Sequence, residues 1–188
     1  MSEFWIISDT HFNHNKDFIY KSRGFQSVEE MNAKIIENWN NTVDKNDIVY
    51  HLGDFFLGDL EAGLNIIHQL NGKIRLAIGN HDTSARLKEI RLLSNIDDIQ
   101  FGYRIQEGKK TFLLTHYPQL TGNYDNSKTY SIHGHTHLKD KFWEINDDLH
   151  NMMYNVSCEA ISCTPINWIN MKIDIMTQQL KRAKINKK

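Results

Sequence analysis

The chain has 188 residues, with 22 Lys and Arg against 23 Asp and Glu, and 40% of its residues are hydrophobic. This length predicts one domain that is stable without disulfide bonds. The near-zero net charge disfavours a stable complex with nucleic acid, although a local positive site can still bind a small phosphorylated substrate. No signal peptide and no apolar run of about 18 residues is found, which predicts a cytoplasmic protein without membrane contact. The abundance of Asn, Ile and Lys suggests an AT-rich genome, such as that of a phage.

The first half of the chain alternates short apolar runs with amphipathic helices. Ser27, with Glu30 three residues later, forms a capping-box pattern at the start of one helix. Within that helix apolar residues recur every four positions, at Met31, Ile35, Trp39 and Val43. Strands are predicted at Phe4–Ile7, Ile48–Tyr50 and Ile74–Ile78, and further helices at about Asp59–Leu70 and Thr83–Leu93. This alternation favours parallel strands covered by helices.

The second half of the chain reads as strands separated by polar loops. Strands are predicted at Thr111–Thr115, Tyr130–Ile132, Met153–Val156 and Ile169–Ile175, the last because apolar and polar residues alternate in it. Only 19 positions separate His116 from His135, so the strands that precede these two residues are expected to pair antiparallel. Residues 1–180 are expected to form the domain. Residues 181–188, with five basic residues in eight, are expected to form a solvated basic tail.

Five segments place polar residues directly after a predicted strand. They are Asp9-Thr10-His11, Gly53-Asp54, Gly79-Asn80-His81-Asp82, His116 and Gly134-His135-Thr136-His137. Ligands of open α/β sheets bind at the carboxyl ends of the strands, so these segments can converge on one crevice.

The residue types in these segments suit a transition metal. Residues i and i+2 of an extended chain point to the same side, so Asp9 can face an ion together with His11, and His135 together with His137. Carboxylates, imidazoles and an amide oxygen form a mixed donor set that fits Mn²⁺, Fe or Zn²⁺ better than Ca²⁺. The donors are too many for one tetrahedral ion, which points to two ions. Two divalent ions with two carboxylates leave a positive site that attracts phosphate.

These motifs, in this order, resemble those of the calcineurin-like metallophosphoesterases: D-x-H, G-D, G-N-H-[D/E], H and G-H-x-H. The resemblance extends over about residues 4–175. The opening Asp9-Thr10-His11-Phe12-Asn13-His14 is also similar to a small bacterial and phage subgroup that carries glycine at the position of Asn13. That subgroup often reads R-P-F where this chain has Arg23-Gly24-Phe25. Both differences lie outside the ligand set and concern substrate preference.

The resemblance implies a four-layer αββα sandwich of two mixed β-sheets flanked by helices, with a dinuclear site at the sheet edge. One ion would be held by Asp9, His11, Asp54 and His137. The other would be held by Asp54, Asn80, His116 and His135, with Asp54 bridging the two. Mn²⁺ is favoured, while Fe, Zn²⁺, Ni²⁺ and Co²⁺ also fit.

The resemblance also implies a mechanism, in which a hydroxide that bridges two metals attacks phosphorus. His81 would protonate or stabilise the leaving oxygen as a general acid. His14 and Arg23 lie close after the first motif and are candidate substrate-binding residues. Asp82 either orients a histidine ring or caps the following helix.

We therefore expect a hydrolase that cleaves a small phosphodiester, such as a cyclic or modified nucleotide. An aromatic rim of Tyr117, Tyr124, Phe142 and Trp143 would suit stacking on a base. Three alternatives remain open: a phosphomonoesterase acting on a nucleotide or a protein phosphate, a nuclease, and a catalytically inactive scaffold on the same fold.

Overall fold

The computed structural model describes residues 2–120, 128–142 and 153–185. The elements follow in chain order as β1 (Phe4–Ile7), α1 (Asp17–Tyr20), α2 (Val28–Thr42), β2 (Ile48–His51), α3 (Leu60–Gln69), β3 (Lys73–Ala77), α4 (Ser84–Ile90), β4 (Ile96–Gln100), β5 (Gly102–Glu107), β6 (Lys110–Thr115), β7 (Thr129–His133), β8 (Met153–Asn155), β9 (Ile166–Asn167) and α5 (Trp168–Ile185).

The strands form two mixed sheets. The first has the order β4-β3-β2-β1-β9, in which β9 alone runs antiparallel to its neighbour. The second has the order β5-β6-β7-β8, with β5 antiparallel to β6 and the other pairs parallel. A bridge between Ser8 and Ser157 joins the sheets, since the Ser8 amide donates to the Val156 carbonyl at 2.9 Å. The predicted α/β class with two mixed sheets flanked by helices is confirmed.

Alternate residues of β2 show how the layers stack. Tyr50 points to the second sheet and meets Tyr103 edge to face at 5.2 Å between ring centroids. The next residue, His51, points the other way and stacks against Trp39 of α2. Trp39 is fully buried, so α2 covers the outer face of the first sheet, and the core fills both spaces.

The predicted helix starts are confirmed. The Ser27 hydroxyl accepts from the Glu30 amide at 3.1 Å, and the Glu30 carboxylate accepts from the Gln26 amide at 2.7 Å. Thr83 caps α4 by accepting from the Arg86 amide, which leaves the Asp82 carboxylate free for another contact.

The prediction of a strand at Ile169–Ile175 is wrong, because these residues begin the last helix, α5. Trp168, Met171 and Ile175 are buried at helical spacing, whereas Ile169 and Ile173 are 61% and 53% exposed. The apolar alternation is compatible with the period of a strand and with that of a helix. The buried Trp168, which packs on Phe112 at 4.8 Å between ring centroids, favours the helix. The helix runs on to Ile185 and so includes residues 181–185 of the predicted tail. The division at residue 180 stays a prediction.

The expected antiparallel pairing before His116 and His135 is also wrong, because β6 and β7 pair in parallel. A parallel crossover needs about a dozen residues, and residues 116–128 between the two strands just meet that length. Three further strands, β4, β5 and β9, were not predicted. Each lies at the edge of its sheet and is mostly polar or half-exposed, so none gives a clear apolar pattern.

The helical assignment of residues 168–185 predicts different costs for two similar truncations. Met171→Ala should lower the free energy of unfolding by about 2–5 kcal/mol, because it removes a fully buried side chain. Ile173→Ala, at an exposed position, should change it by less than about 0.5 kcal/mol. Urea denaturation followed by circular dichroism measures both values. Equal losses for the two variants would contradict the helical face described here.

Candidate active site

The carboxyl ends of five strands bring the candidate site residues together. Asp9 and His11 follow β1, Asp54 follows β2, and Asn80 and His81 follow β3 in the first sheet, while His116 follows β6 and His135 and His137 follow β7 in the second. Backbone hydrogen bonds join the loops: the Asp9 amide donates to the Gly53 carbonyl at 3.0 Å, and the Gly134 amide to the His116 carbonyl at 3.0 Å. The crevice between the two sheet edges therefore collects all of these residues, as the sequence predicts.

The side chains form two adjacent clusters of nitrogen and oxygen atoms. In the first, Nε2 of His11 lies 3.2 Å from Nε2 of His137, and Asp9 Oδ1 lies 3.6 Å from the latter atom. In the second, Nε2 of His116 lies 2.9 Å from Oδ1 of Asn80 and 3.1 Å from Nδ1 of His135.

Asp54 lies between the two clusters. Its Oδ2 atom is 3.6 Å from Nε2 of His11 and 3.5 Å from Nε2 of His116. Its other oxygen accepts the His81 amide at 2.8 Å. One carboxylate oxygen thus faces both clusters, the position that a bridging ligand requires.

The hydrogen bonds around the clusters fit a cation. Nδ1 of His116 faces the Leu52 carbonyl at 2.9 Å and must donate to it, so Nε2 carries a lone pair toward the oxygens of Asn80 and Asp54. Nδ1 of His137 faces Glu159 at 3.0 Å and donates to it, so Nε2 is the atom of this ring that faces the cluster. Although burial lowers it, the hydrogen bond to Glu159 and the charge of Asp9 raise the pKa of His137 above its ordinary value. Oδ1 of Asp9 is buried and has no hydrogen-bond partner in the described part of the chain. The mixed set of carboxylate and imidazole donors fits a transition metal, which would replace a proton in this cluster.

Comparison with known proteins identifies the family. Residues 3–151 match the calcineurin-like phosphoesterase superfamily domain. The chain belongs to this superfamily. It is thereby a member of a group of metal-dependent hydrolases of phosphate esters. The family predicted from its motifs is confirmed.

Proteins of similar length share its sequence or its fold. The chain is 35% identical over 191 residues to the uncharacterized protein MJ1445 of Methanocaldococcus jannaschii, covering 98% of this chain and 95% of that protein. It is 29% identical to the gene 66 protein of Mycobacterium phage D29, over 74% of this chain and 80% of that one. Among solved structures, a protein of unknown function from Aquifex aeolicus, AQ665, superimposes with a TM-score of 0.69 at 25% identity, covering 94% of this chain and all of that one. Within the described ranges, no helix of this phosphoesterase has the length and apolarity needed to cross a membrane.

Five of the residues in the clusters have a left-handed backbone. Their φ angles lie between 48° and 66°, at Asp9, His11, Asp54, His135 and His137. Such a conformation costs a non-glycine residue on the order of 1 kcal/mol or more. It turns each side chain back into the crevice directly after its strand. The ligand loops of this phosphoesterase therefore hold backbone strain that the surrounding contacts must offset.

Glycine lets these loops approach one another closely. A Cβ atom at Gly53 would lie 2.6 Å from the backbone nitrogen of Gly79. A Cβ atom at Gly134 would collide with Ser8 and with the Asp9 carboxylate. Any larger residue at Gly134 would push the His135 loop away from Asp9, whose Oδ2 accepts the His135 amide at 2.9 Å.

Asp82 joins the Asp54 loop to the Asn80 loop. Its carboxylate accepts the amides of Asp54 at 2.8 Å, Phe55 at 3.1 Å and Gly79 at 2.8 Å. Burial nevertheless raises the pKa of Asp82 above its ordinary value. Of the two roles considered for this residue, helix cap and histidine partner, the structure shows neither. Asp82 instead fixes the spacing of two strand-end turns.

Arg23 lies under the loop of the first motif, away from the open crevice. Its guanidinium donates to the carbonyls of Asp9 at 2.7 Å and Thr10 at 2.9 Å, and to Glu159 at 2.9 Å. Its side chain is only 1% exposed. Arg23 is therefore not in a position to contact substrate phosphate. Its role is to hold the backbone that carries Asp9.

Glu159 is the site residue that the sequence did not reveal. Its carboxylate faces both the Arg23 guanidinium and Nδ1 of His137. Burial alone would raise the pKa of Glu159, but the hydrogen bond to His137 and the charge of Arg23 lower this pKa to about 2. Glu159 lies three residues after the predicted strand Met153–Val156 but belongs to no motif, so only its position after a strand could have marked it.

His81 and His14 border the open side of the clusters. Nε2 of His81 lies 4.0 Å from Asp54 Oδ2, and its side chain is 44% exposed. The His14 ring lies 5.3 Å from the His11 ring and 6.4 Å from the His81 ring. Both face a cavity of about 560 Å³ next to the first cluster. Each therefore lies where a substrate would enter.

The predicted aromatic rim is present only in part. Tyr117 is 46% exposed, and its ring lies 4.6 Å from that of His135. Phe142 packs edge to face on Tyr154 at 5.2 Å and does not line the cavity described above. Tyr124 and Trp143 lie outside the described residues.

Burial sets the charge state of the cluster residues. It raises the pKa of Asp9 from 3.8 to about 6, although the charges of His116 and His137 act in the opposite direction. Burial and the charge of Arg23 hold the pKa of His11 far below its ordinary value, and burial also lowers that of His135. Both rings are thus neutral at neutral pH, the state in which imidazole binds a metal.

The raised pKa of Asp9 predicts how Asp9→Asn changes stability in metal-free protein. Folded protein holds the Asp9 proton more tightly than the unfolded chain, so the wild type loses stability as pH rises from about 4 to about 6. The variant lacks this loss. It should be more stable than the wild type by about 3 kcal/mol at pH 7.5, and the difference should vanish at about pH 4.

Urea denaturation at the two pH values, with a chelator present, measures this difference. Adding Mn²⁺ at pH 7.5 should stabilise the wild type more than the variant, because the variant lacks a carboxylate of the first cluster and keeps only the second cluster intact. A difference between the two proteins that does not depend on pH would contradict the assigned pKa.

The contact between Glu159 and His137 predicts a loss of metal affinity in Glu159→Gln. Carboxylates that orient a ligating histidine typically contribute about 10–100-fold to metal affinity. We expect a loss of that size for Mn²⁺, measured by isothermal titration calorimetry. Glu37→Gln is the matched control, because Glu37 is exposed and pairs with Lys34 on α2. Unchanged affinity in Glu159→Gln would limit this residue to a role in folding.

Proposed function

We propose that this protein hydrolyses a small phosphodiester with the help of two divalent metal ions. The observation that carries the proposal is the position of Asp54 Oδ2, within 3.6 Å of a donor nitrogen in each of two adjacent clusters. One ion would be held by Asp9, His11, Asp54 and His137, and the other by Asp54, Asn80, His116 and His135. Mn²⁺ is our first choice for both ions. Imidazole and carboxylate donors suit Mn²⁺, and they suit the competing first-row ions as well.

The chemistry that such ions supply when bound is activation of a water molecule as nucleophile and neutralisation of charge on the phosphoryl oxygens. The chain itself supplies the remaining functions. Arg23, Asp82 and Glu159 fix the loops that carry the donors, as described above. His81 is the one residue of the G-N-H-D motif whose ring faces the open cavity, so it is the group that can reach a leaving oxygen.

His81 would act as the general acid. Its backbone amide donates to Asp54 Oδ1 at 2.8 Å, which fixes the backbone that carries the ring. Its side chain is partly exposed, and its Nε2 lies 4.0 Å from Asp54 Oδ2. A proton on Nε2 would pass to the leaving alkoxide as the bond to phosphorus breaks. An alkoxide needs this proton more than a stable aryl oxide does.

The charge around the cavity favours a diester over a monoester. Among the described residues that line it, Lys139 alone is a lysine or arginine. Arg23, which could have bound a dianionic phosphate, is buried and paired. A phosphodiester carries one negative charge and needs less positive charge around it than a monoester dianion does. The monoesterase alternative shares the same donors and is separated from the diesterase by relative rates.

The test is a paired assay on protein that has been chelated and then supplied with Mn²⁺. Turnover of bis(4-nitrophenyl) phosphate should exceed that of 4-nitrophenyl phosphate, and both should vanish in Asp54→Asn. His81→Ala should lower kcat by about 10²–10⁴-fold for a diester with an alkyl leaving group. It should lower kcat much less for the nitrophenyl diester, whose leaving group departs without a proton.

Two results would count against the proposal. Faster turnover of the monoester would favour the phosphatase alternative. Equal losses for both leaving groups in His81→Ala would exclude the role of this residue as an acid. Ser94→Ala serves as a control far from the site, on the loop before β4.

A further inference from the structure

The cavity beside the first cluster has apolar as well as polar lining. Phe18, Ile19 and Leu57 line it together with His11 and His137. Its volume of about 560 Å³ is within the range of small-molecule sites. A ligand in it would lie directly beside the donors of the first cluster.

Phe18 exposes its aromatic ring to this cavity. It lies on α1, a helix of one turn, whose next two residues, Ile19 and Tyr20, are buried in the core. Phe18 itself is 68% exposed. Burial of its two neighbours anchors the turn and sets the direction of the Phe18 ring. A single exposed phenylalanine is common on protein surfaces, so its position in the cavity, not its exposure, is what matters here.

His14 connects Phe18 to the clusters. The His14 ring meets the Phe18 ring edge to face at 5.7 Å between centroids and the His11 ring at 5.3 Å. His81 lies 6.4 Å from the same ring on the other side. An unbroken run of ring surfaces therefore leads from the metal donors to the rim of the cavity.

The charges of the cavity limit what can occupy its apolar part. Glu159, its carboxylate, is engaged by Arg23 and His137, and Lys139 is an exposed cation at the mouth. Apart from Glu159 and Lys139, the described residues that line the cavity include no carboxylate, lysine or arginine. The apolar part suits a neutral ring, while the single phosphoryl group stays at the clusters.

We propose that the Phe18, His14 and Leu57 surface is a subsite for a neutral aromatic group of the substrate, such as a nucleobase, attached to the phosphoryl group that binds at the clusters. Aromatic side chains bind bases by stacking, with little preference for one base over another. The inference deepens the proposed function by naming the class of substituent, and it moves the expected base contact from the Tyr117 rim to α1.

The test compares two ligands that differ only in the base. They are phosphonate analogues of AMP and of ribose 5-phosphate, in which a methylene group replaces the ester oxygen and prevents hydrolysis. Calorimetry with Mn²⁺-loaded wild type should give about tenfold tighter binding of the AMP analogue, the size that stacking of one base supplies. Phe18→Leu and Phe18→Ala should reduce this ratio to near one and leave the affinity for the ribose analogue unchanged.

Phe101→Ala is the matched control, because Phe101 is 84% exposed and does not line this cavity; its ratio should match that of the wild type. Equal affinity of the wild type for both analogues, or a ratio that survives in both Phe18 variants, would overturn the subsite. A ratio that depends on Phe18 in a protein without any turnover would support the subsite and count against the proposed hydrolysis. The two proposals can therefore fail separately.

Discussion

The structure depends on one electrostatic constraint: carboxylates and imidazoles converge in a buried crevice. The Asp9 carboxylate is fully buried, and burial raises its pKa, so keeping it ionised in metal-free protein costs stability. The Nε2 atoms of His11 and His137 lie 3.2 Å apart, so one of them must carry a proton and donate it to the other when no metal is bound. The contacts around the crevice hold these groups at this spacing.

Two buried carboxylates outside the donor clusters provide much of this support. Asp82 collects three backbone amides and so locks the loops after β2 and β3 to one another. Glu159 lies between Arg23 and His137, and Arg23 in turn holds the carbonyls of Asp9 and Thr10. Through this chain of contacts, a ligand loop of the first sheet is coupled to one of the second. Each carboxylate is itself paired, because an unpaired buried charge would cost several kcal/mol.

The sequence predicts the donors better than their supports for a physical reason. Metal ligands follow strands at short, fixed spacings, and chemistry restricts them to few residue types, so the motif of Asp9 and His11 is visible without a structure. Arg23 and Glu159 meet across 136 positions of chain, and only tertiary folding brings them together. The same limit applies to α5. Its apolar residues fit a strand or a helix equally well until Phe112 supplies a surface for Trp168.

The buried position of Arg23 also changes how substrate binding is understood. From its position after the first motif, an arginine suggests a bidentate contact with phosphate, yet the Arg23 guanidinium donates to the loop carbonyls of Asp9 and Thr10 and to Glu159 instead. In the proposed function, positive charge for the phosphate would therefore come mainly from metal ions, which would tie substrate binding to metal loading. The proposed subsite would leave recognition of the rest of the substrate to uncharged surfaces such as Phe18 and His14. Such a site would separate the two tasks: charge at the strand ends would bind the phosphoryl group, and ring surfaces beside it would select what is attached to it.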